Sequence, residues 1–156
     1  MIHRSAAHTI RKLSRGFPVI AITGPRQSGK TTLAQHLFTD RPYVSLENPD
    51  LLEFANQDPR GFLSKYLNGA VFDEAQRCPP LFSYLQELVD GDNRMGRFIL
   101  TGSQQFGFVS KITQSLAGRV GIVHLMPFTV QECYAEHTSQ DLPNVDTLMF
   151  QGLYPP

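Results

Sequence analysis

The chain has 156 residues, the size of one ordinary domain, and 41% of them are apolar, which is enough to bury a core and excludes intrinsic disorder, collagen and low-complexity architectures. Lys and Arg number 14, as do Asp and Glu, so no global field draws nucleic acid or an anionic membrane; the longest strongly apolar stretch, Phe17 to Ile22, is far too short to span a bilayer. Two cysteines, Cys78 and Cys133, exclude a disulfide scaffold and a four-cysteine zinc site and fit reduced thiols in a cytosolic protein.

Taken in chain order, strands alternate with helices. Ile2, Ala6, Ile10 and Leu13 recur at helical spacing, so a short amphipathic helix opens the chain and Gly16 stops it. This start is rich in Arg and free of acids: all six charged side chains before Asp40 are basic. A transit peptide is rejected, because a strand begins at Val19 and leaves too little chain to discard. The basic start is then either a seat for phosphate or a solvated helix face carrying Arg11, Lys12 and Arg15.

Val19 to Thr23 is a continuous β-branched run, as expected of a strand buried on both faces. Thr31 to Phe38 reads as a helix and Tyr43 to Leu46 as a second strand. Asn48 and Asp58 each precede a proline and mark two helix starts. Ala70 to Asp73 is a third strand, and Pro79-Pro80 opens a helix to about Asp90. Arg97 to Thr101 is a fourth strand, Val109 to Leu116 a helix, and Val120 to Leu125 a fifth strand in which His124 reads as a core residue. Thr129 and Glu132 form a capping-box pattern for a helix from Val130 to about His137. A weak helical stretch, Asp146 to Gln151, follows. The fold expected is α/β, a parallel five-stranded sheet covered on both faces.

Between the first strand and its helix, Gly24, Pro25, Arg26, Gln27, Ser28, Gly29, Lys30 and Thr31 match G-x-x-x-x-G-K-[ST], the phosphate-binding loop. Glycines let the backbone curl so that successive N–H groups point inward as an anion nest, and the helix that follows presents its positive end to the same place. In this pattern Lys30 reaches the β- and γ-phosphates of a nucleotide and the Thr31 hydroxyl reaches Mg²⁺. Thr32 follows in the first helical turn. The third strand ends in Asp73 and Glu74, as a Walker B motif does: Asp73 holds the magnesium through water, and Glu74 orients or deprotonates the attacking water. One predicted strand lies between the two motifs. That extra strand and the adjacent Glu are features of the hydrolysing P-loop ATPases, whose sheet order is 5-1-4-3-2.

In that order the fourth strand's tip faces the γ-phosphate between the two motifs. Thr101 or Ser103 can position the lytic water there, with Gln104 next; the plain alternative is a strand end with local hydroxyl caps. Arg119, at the mouth of the fifth strand, is either an arginine finger for its own or a neighbouring subunit's phosphate or a solvated Arg after a helix-ending glycine. Arg26 flanks phosphate or stays in solvent. The two thiols have no metal spacing.

The segments Gly24 to Leu33, Tyr43 to Asp50, Phe72 to Arg77, Ile99 to Gln104 and Ser115 to Arg119, in this order, resemble the AAA-type ATP-binding proteins of bacteria and archaea, in which an N-terminal ATPase domain precedes a C-terminal domain of nuclease-like fold. The resemblance runs from about Arg4 into the segment Met126 to Thr129. It implies a P-loop NTPase fold, ATP and Mg²⁺, with Lys30 and Thr31 on phosphate and metal, Asp73 on the metal, Glu74 as catalytic carboxylate, Ser103 as sensor and Arg119 as a possible arginine sensor. It divides the chain into an ATPase core, 1–126, and the start of a lid or connecting segment, 127–156, as a truncated product or fragment of such a protein. Two activities compete: an ATPase core that turns over slowly alone, and a nucleotide-binding module that does not hydrolyse without a C-terminal part. A small-molecule kinase on the same fold is disfavoured by the adjacent Asp73 and Glu74. A homo-oligomer is possible, and net charge gives nucleic acid no support.

Overall fold

Three strands carry apolar side chains on both faces, and that decides where they sit. β1 (Val19–Gly24), β3 (Ala70–Asp73) and β4 (Phe98–Ser103) are buried along their whole length. β2 (Tyr43–Ser45) and β5 (Val120–His124) are only partly covered and form the edges. The computed structural model describes residues 3–103, 107–134 and 145–153. Its sheet has the order β2-β3-β4-β1-β5, which is 5-1-4-3-2 read from the other edge, and every strand pairs parallel to its neighbours.

Parallel neighbours need crossovers, and helices supply them. α1 (Ala6–Leu13) and α2 (Lys30–Leu37) pack on one face, against Ile20, Ile22, Val71 and Ile99. α3 (Pro49–Gln57), α4 (Pro59–Ser64), α5 (Leu81–Gly91) and α6 (Phe108–Ser115) cover the other, around Phe62, Phe72 and Phe98. α7 (Val130–Cys133) and α8 (Val145–Gln151) follow β5. The caps are those the sequence announces. The Asn48 side chain accepts from the N–H groups of Asp50 and Leu51, Asp58 accepts from Gly61, and Thr129 and Glu132 close a reciprocal capping box.

Several boundaries move. β4 continues through Gly102 to Ser103, so the hydroxyl residues lie within the strand rather than beyond it. A 3₁₀ turn, Ala75–Arg77, follows β3 and carries no sequence signal. α7 is a single turn ending at Cys133; residues 135–137 of the expected helix, and Ile2 and Gln104, lie outside the described residues. His124 is not a core residue. It is exposed, because it ends an edge strand, and its ring Nδ1 meets the Thr23 hydroxyl at 2.6 Å.

Candidate functional site

The C-terminal ends of β1, β3 and β4 lie side by side at one end of the sheet. Gly24 lies in register with Ser103, and Asp73 closes β3 beside them. From Gly24 the chain curls through the loop to α2. Gly29 has φ 86° and is the N-cap of α2; Gln27, with φ 61°, is also left-handed. Turns of this kind point successive N–H groups to one side. Gly24 meets a different demand: a Cβ there would collide with the Leu125 carbonyl, which the chain after β5 lays against the loop. Pro25 and Gly29 are partly exposed, Arg26 and Gln27 exposed, and Ser28 and Lys30 buried; Thr32 faces solvent from the first turn of α2.

Lys30 bends back onto the loop. Its Nζ donates to the Pro25 carbonyl at 2.7 Å and the Gly24 carbonyl at 3.3 Å. Burial pushes the Lys30 ammonium down from its ordinary range, against the opposing pull of Glu74 and Asp73. Backbone carbonyl oxygens are modest partners for a buried cation, so an anion entering the nest gains a donor that is already in place.

Asp73 joins the two motifs. Its Oδ1 accepts from the Thr31 hydroxyl at 2.8 Å and from the Thr101 hydroxyl. Its Oδ2 accepts from the Tyr43 hydroxyl at 2.8 Å. Burial first, then the bond to Asp73, pushes the Tyr43 phenol up to about 12, so it is a firm donor at neutral pH. Glu74 follows in left-handed geometry, φ 54°, which turns its side chain back toward the loop. It shares a cavity of about 390 Å³ with Arg26 and Gln27, and its Oε2 accepts from Gln76 Nε2 at 2.5 Å.

The donor set fits a nucleotide with its metal. A hydroxyl and a carboxylate already in contact, Thr31 and Asp73, are hard oxygen ligands of the kind Mg²⁺ takes. The buried Ser28 hydroxyl, inside the loop, has no hydrogen-bond partner among the described residues.

The AAA domain family matches residues 16–134 of the chain. The chain belongs to that family. The match covers the loop, Asp73, Glu74 and the whole sheet, and the AAA domain is of the P-loop ATPase type. The uncharacterized proteins Rv2008c of Mycobacterium tuberculosis and Mb2031c of Mycobacterium bovis are each 40% identical over 132 residues, 83% of this chain. The chain spans 30% of their length. Among solved structures, the Walker-type ATPase PABY2304 of Pyrococcus abyssi superposes with a TM-score of 0.56 at 16% identity, over 97% of this chain and 62% of that one. A DNA replication initiation factor does so with a TM-score of 0.52 at 13% identity, over 92% and 56%. At such identities the likeness is one of fold.

Within this AAA domain not every candidate gathers at the loop. Ser103 is buried opposite Gly24, whereas Thr101 is the hydroxyl that touches Asp73. Arg119 sits at the opposite, N-terminal end of the strands, where its carbonyl accepts from Val19 N–H. The length of β1 separates it from Gly24, roughly 16 Å at strand rise. A reach to its own loop is therefore corrected. Arg119 instead grips Asp90 through Nε at 2.5 Å and Nη2 at 2.9 Å, each holding the other in its charged form. Burial pushes both thiols up, so neither is activated. Tyr43 opens one of the segments that carry the resemblance, yet no role is expected of it there; its place one strand over from Asp73 follows only from the sheet order.

No helix among the described residues is long and apolar enough to cross a membrane.

Proposed function

We propose that the chain binds ATP with Mg²⁺ in the 24–31 loop and hydrolyses it to ADP and phosphate. The observation that carries this reading is the Thr31–Asp73 hydrogen bond, which brings the two motifs together at the loop with Glu74 one residue on. In this reading the loop N–H groups and Lys30 hold the phosphate chain, with Lys30 releasing the Gly24 and Pro25 carbonyls as it does so. Thr31 and Asp73 hold the metal, which when bound draws charge from the phosphate oxygens. Glu74 leaves Gln76 and accepts a proton from water as the water oxygen bonds to the γ-phosphorus and the bond to the bridging oxygen of ADP breaks. Ser103 or Thr101 orients that water.

Glu74→Gln keeps the side chain's size and removes the base. Its ATP hydrolysis is expected to fall by a factor of about 10² or more, with affinity for ATP essentially unchanged. A variant that turns over at the unmutated rate contradicts the role of Glu74.

A second reading, binding without hydrolysis by this chain alone, is favoured by the engagement of Glu74 with Gln76, which occupies the carboxylate proposed as base. Steady turnover by the 156-residue chain refutes it. Arg119 enters either reading only through a second copy, as a finger on a neighbour's nucleotide. Arg119→Ala is then expected to leave binding by the isolated chain unchanged while lowering turnover at concentrations where copies associate.

A further inference from the structure

Arg4 precedes α1, is 6% exposed, and has no part in the chemistry proposed above. Its guanidinium joins pieces of chain far apart in sequence. Nη1 donates to the Ser28 carbonyl, inside the phosphate loop, at 3.0 Å. Nη2 donates to the Met126 carbonyl at 2.5 Å, just beyond β5. Nε lies 3.5 Å from the Glu132 carboxylate, and the Phe128 ring lies against the guanidinium at 4.4 Å. Glu132 is itself fixed, accepting from the N–H groups of Ser5 at 2.7 Å and Thr129 at 3.0 Å.

We infer that Arg4 is a positioning residue for the phosphate loop: it turns the Ser28–Gly29 peptide so that the Gly29 N–H faces the anion nest, and it ties that orientation to the segment 126–132. The inference rests on the nucleotide reading and deepens it. In a planar trans peptide the C=O and the next N–H point in opposite directions. A donor that holds the Ser28 carbonyl from outside the loop therefore sets the Gly29 N–H inward. This peptide needs a holder, because Gly29 has no Cβ to resist a flip between left- and right-handed φ. A guanidinium suits the task. Its rigid fork donates to two carbonyls at once while its charge faces the Glu132 carboxylate, whereas an ammonium offers a single point from which to reach both carbonyls. The wall behind the loop is continuous with the same segment: Leu125 N–H donates to the Thr23 carbonyl at 2.7 Å, and Met126 follows it to Arg4. Ordering of 126–132 and ordering of the loop are thus one event.

The test compares the full chain with Arg4→Lys, which keeps the charge and the aliphatic stem, and with Arg4→Met, which removes both donors and charge. Arg4→Lys is the deciding variant should Arg4→Met fail to fold. Two quantities are read: amide hydrogen exchange over 24–31 without nucleotide, and affinity for fluorescent ATP with Mg²⁺. With circular dichroism and the exchange of β1 unchanged, the Arg4→Lys loop is expected to exchange about tenfold faster and to bind about tenfold more weakly, the usual effect of losing a charged hydrogen bond. If the unmutated chain binds ATP, either change without the other overturns the proposal. A lower melting temperature with neither change would make Arg4 a structural staple and also overturn it. If the unmutated chain binds no ATP, the nucleotide reading fails by itself. Loop exchange then decides: faster in Arg4→Lys supports the positioning role, and unchanged exchange overturns it.

Discussion

Asp73 shows how much of the site is a matter of single atoms. One oxygen takes hydroxyls from α2 and β4, the other from β2, so three elements meet on one carboxylate. The loop and the Asp73-Glu74 pair were legible because their residues are contiguous and their chemistry is set by type and spacing. Tyr43 and Arg4 were not. Their partners lie 30 residues away in one case and 24 and 122 in the other, and nothing local marks them. His124 was misread because a run of apolar residues gives no warning that its last member ends an edge strand. Gly24 offers a residue-scale check. Gly24→Ala drives a methyl into the Leu125 carbonyl at φ 155°, and is expected to cost about 2–3 kcal/mol in urea denaturation and to weaken nucleotide binding.

At the scale of elements, the strands and most helices were readable because buried parallel strands have continuous apolar runs and the helices announce their caps. What escaped was the 3₁₀ turn after β3, made by the left-handed backbone at Glu74, a conformation that no residue preference at that position foretells. The capping box at α7 was read as a helix start, yet Glu132 does more. It also holds Ser5 and faces Arg4. Burial works against its charge, but the Thr129 and Ser5 N–H groups and Arg4 outweigh it and hold its carboxyl below the ordinary 4.5. A depressed carboxyl stabilises the fold above its unfolded pKa, and that contribution is lost as pH falls through the folded value. The melting temperature is therefore expected to carry a Glu132-dependent loss only below about pH 4.5, absent in Glu132→Gln. An equal slope in both proteins would contradict this.

For the whole molecule, the sheet separates two cores, and the larger holds Phe62, Phe72 and Phe98 between β3, β4 and α4. Phe72, 0% exposed, lies one residue before Asp73, so packing there also steadies the carboxylate. Phe72→Ala is expected to destabilise the fold by about 3–5 kcal/mol, read by urea denaturation. Composition foretold a core of ordinary size but not its partition, which depends on sheet order. The Arg4 contacts to Ser28, Met126 and Glu132 tie the segment after β5 to the loop.

The central claim is that the 24–31 loop holds the phosphates of ATP. Titration of fluorescent ATP with Mg²⁺ into the full chain and into Lys30→Ala tests it most directly. Saturable binding by the full chain, lost or weakened at least tenfold in Lys30→Ala, is the result expected. No binding by a folded full chain, or equal binding by both proteins, would contradict the account.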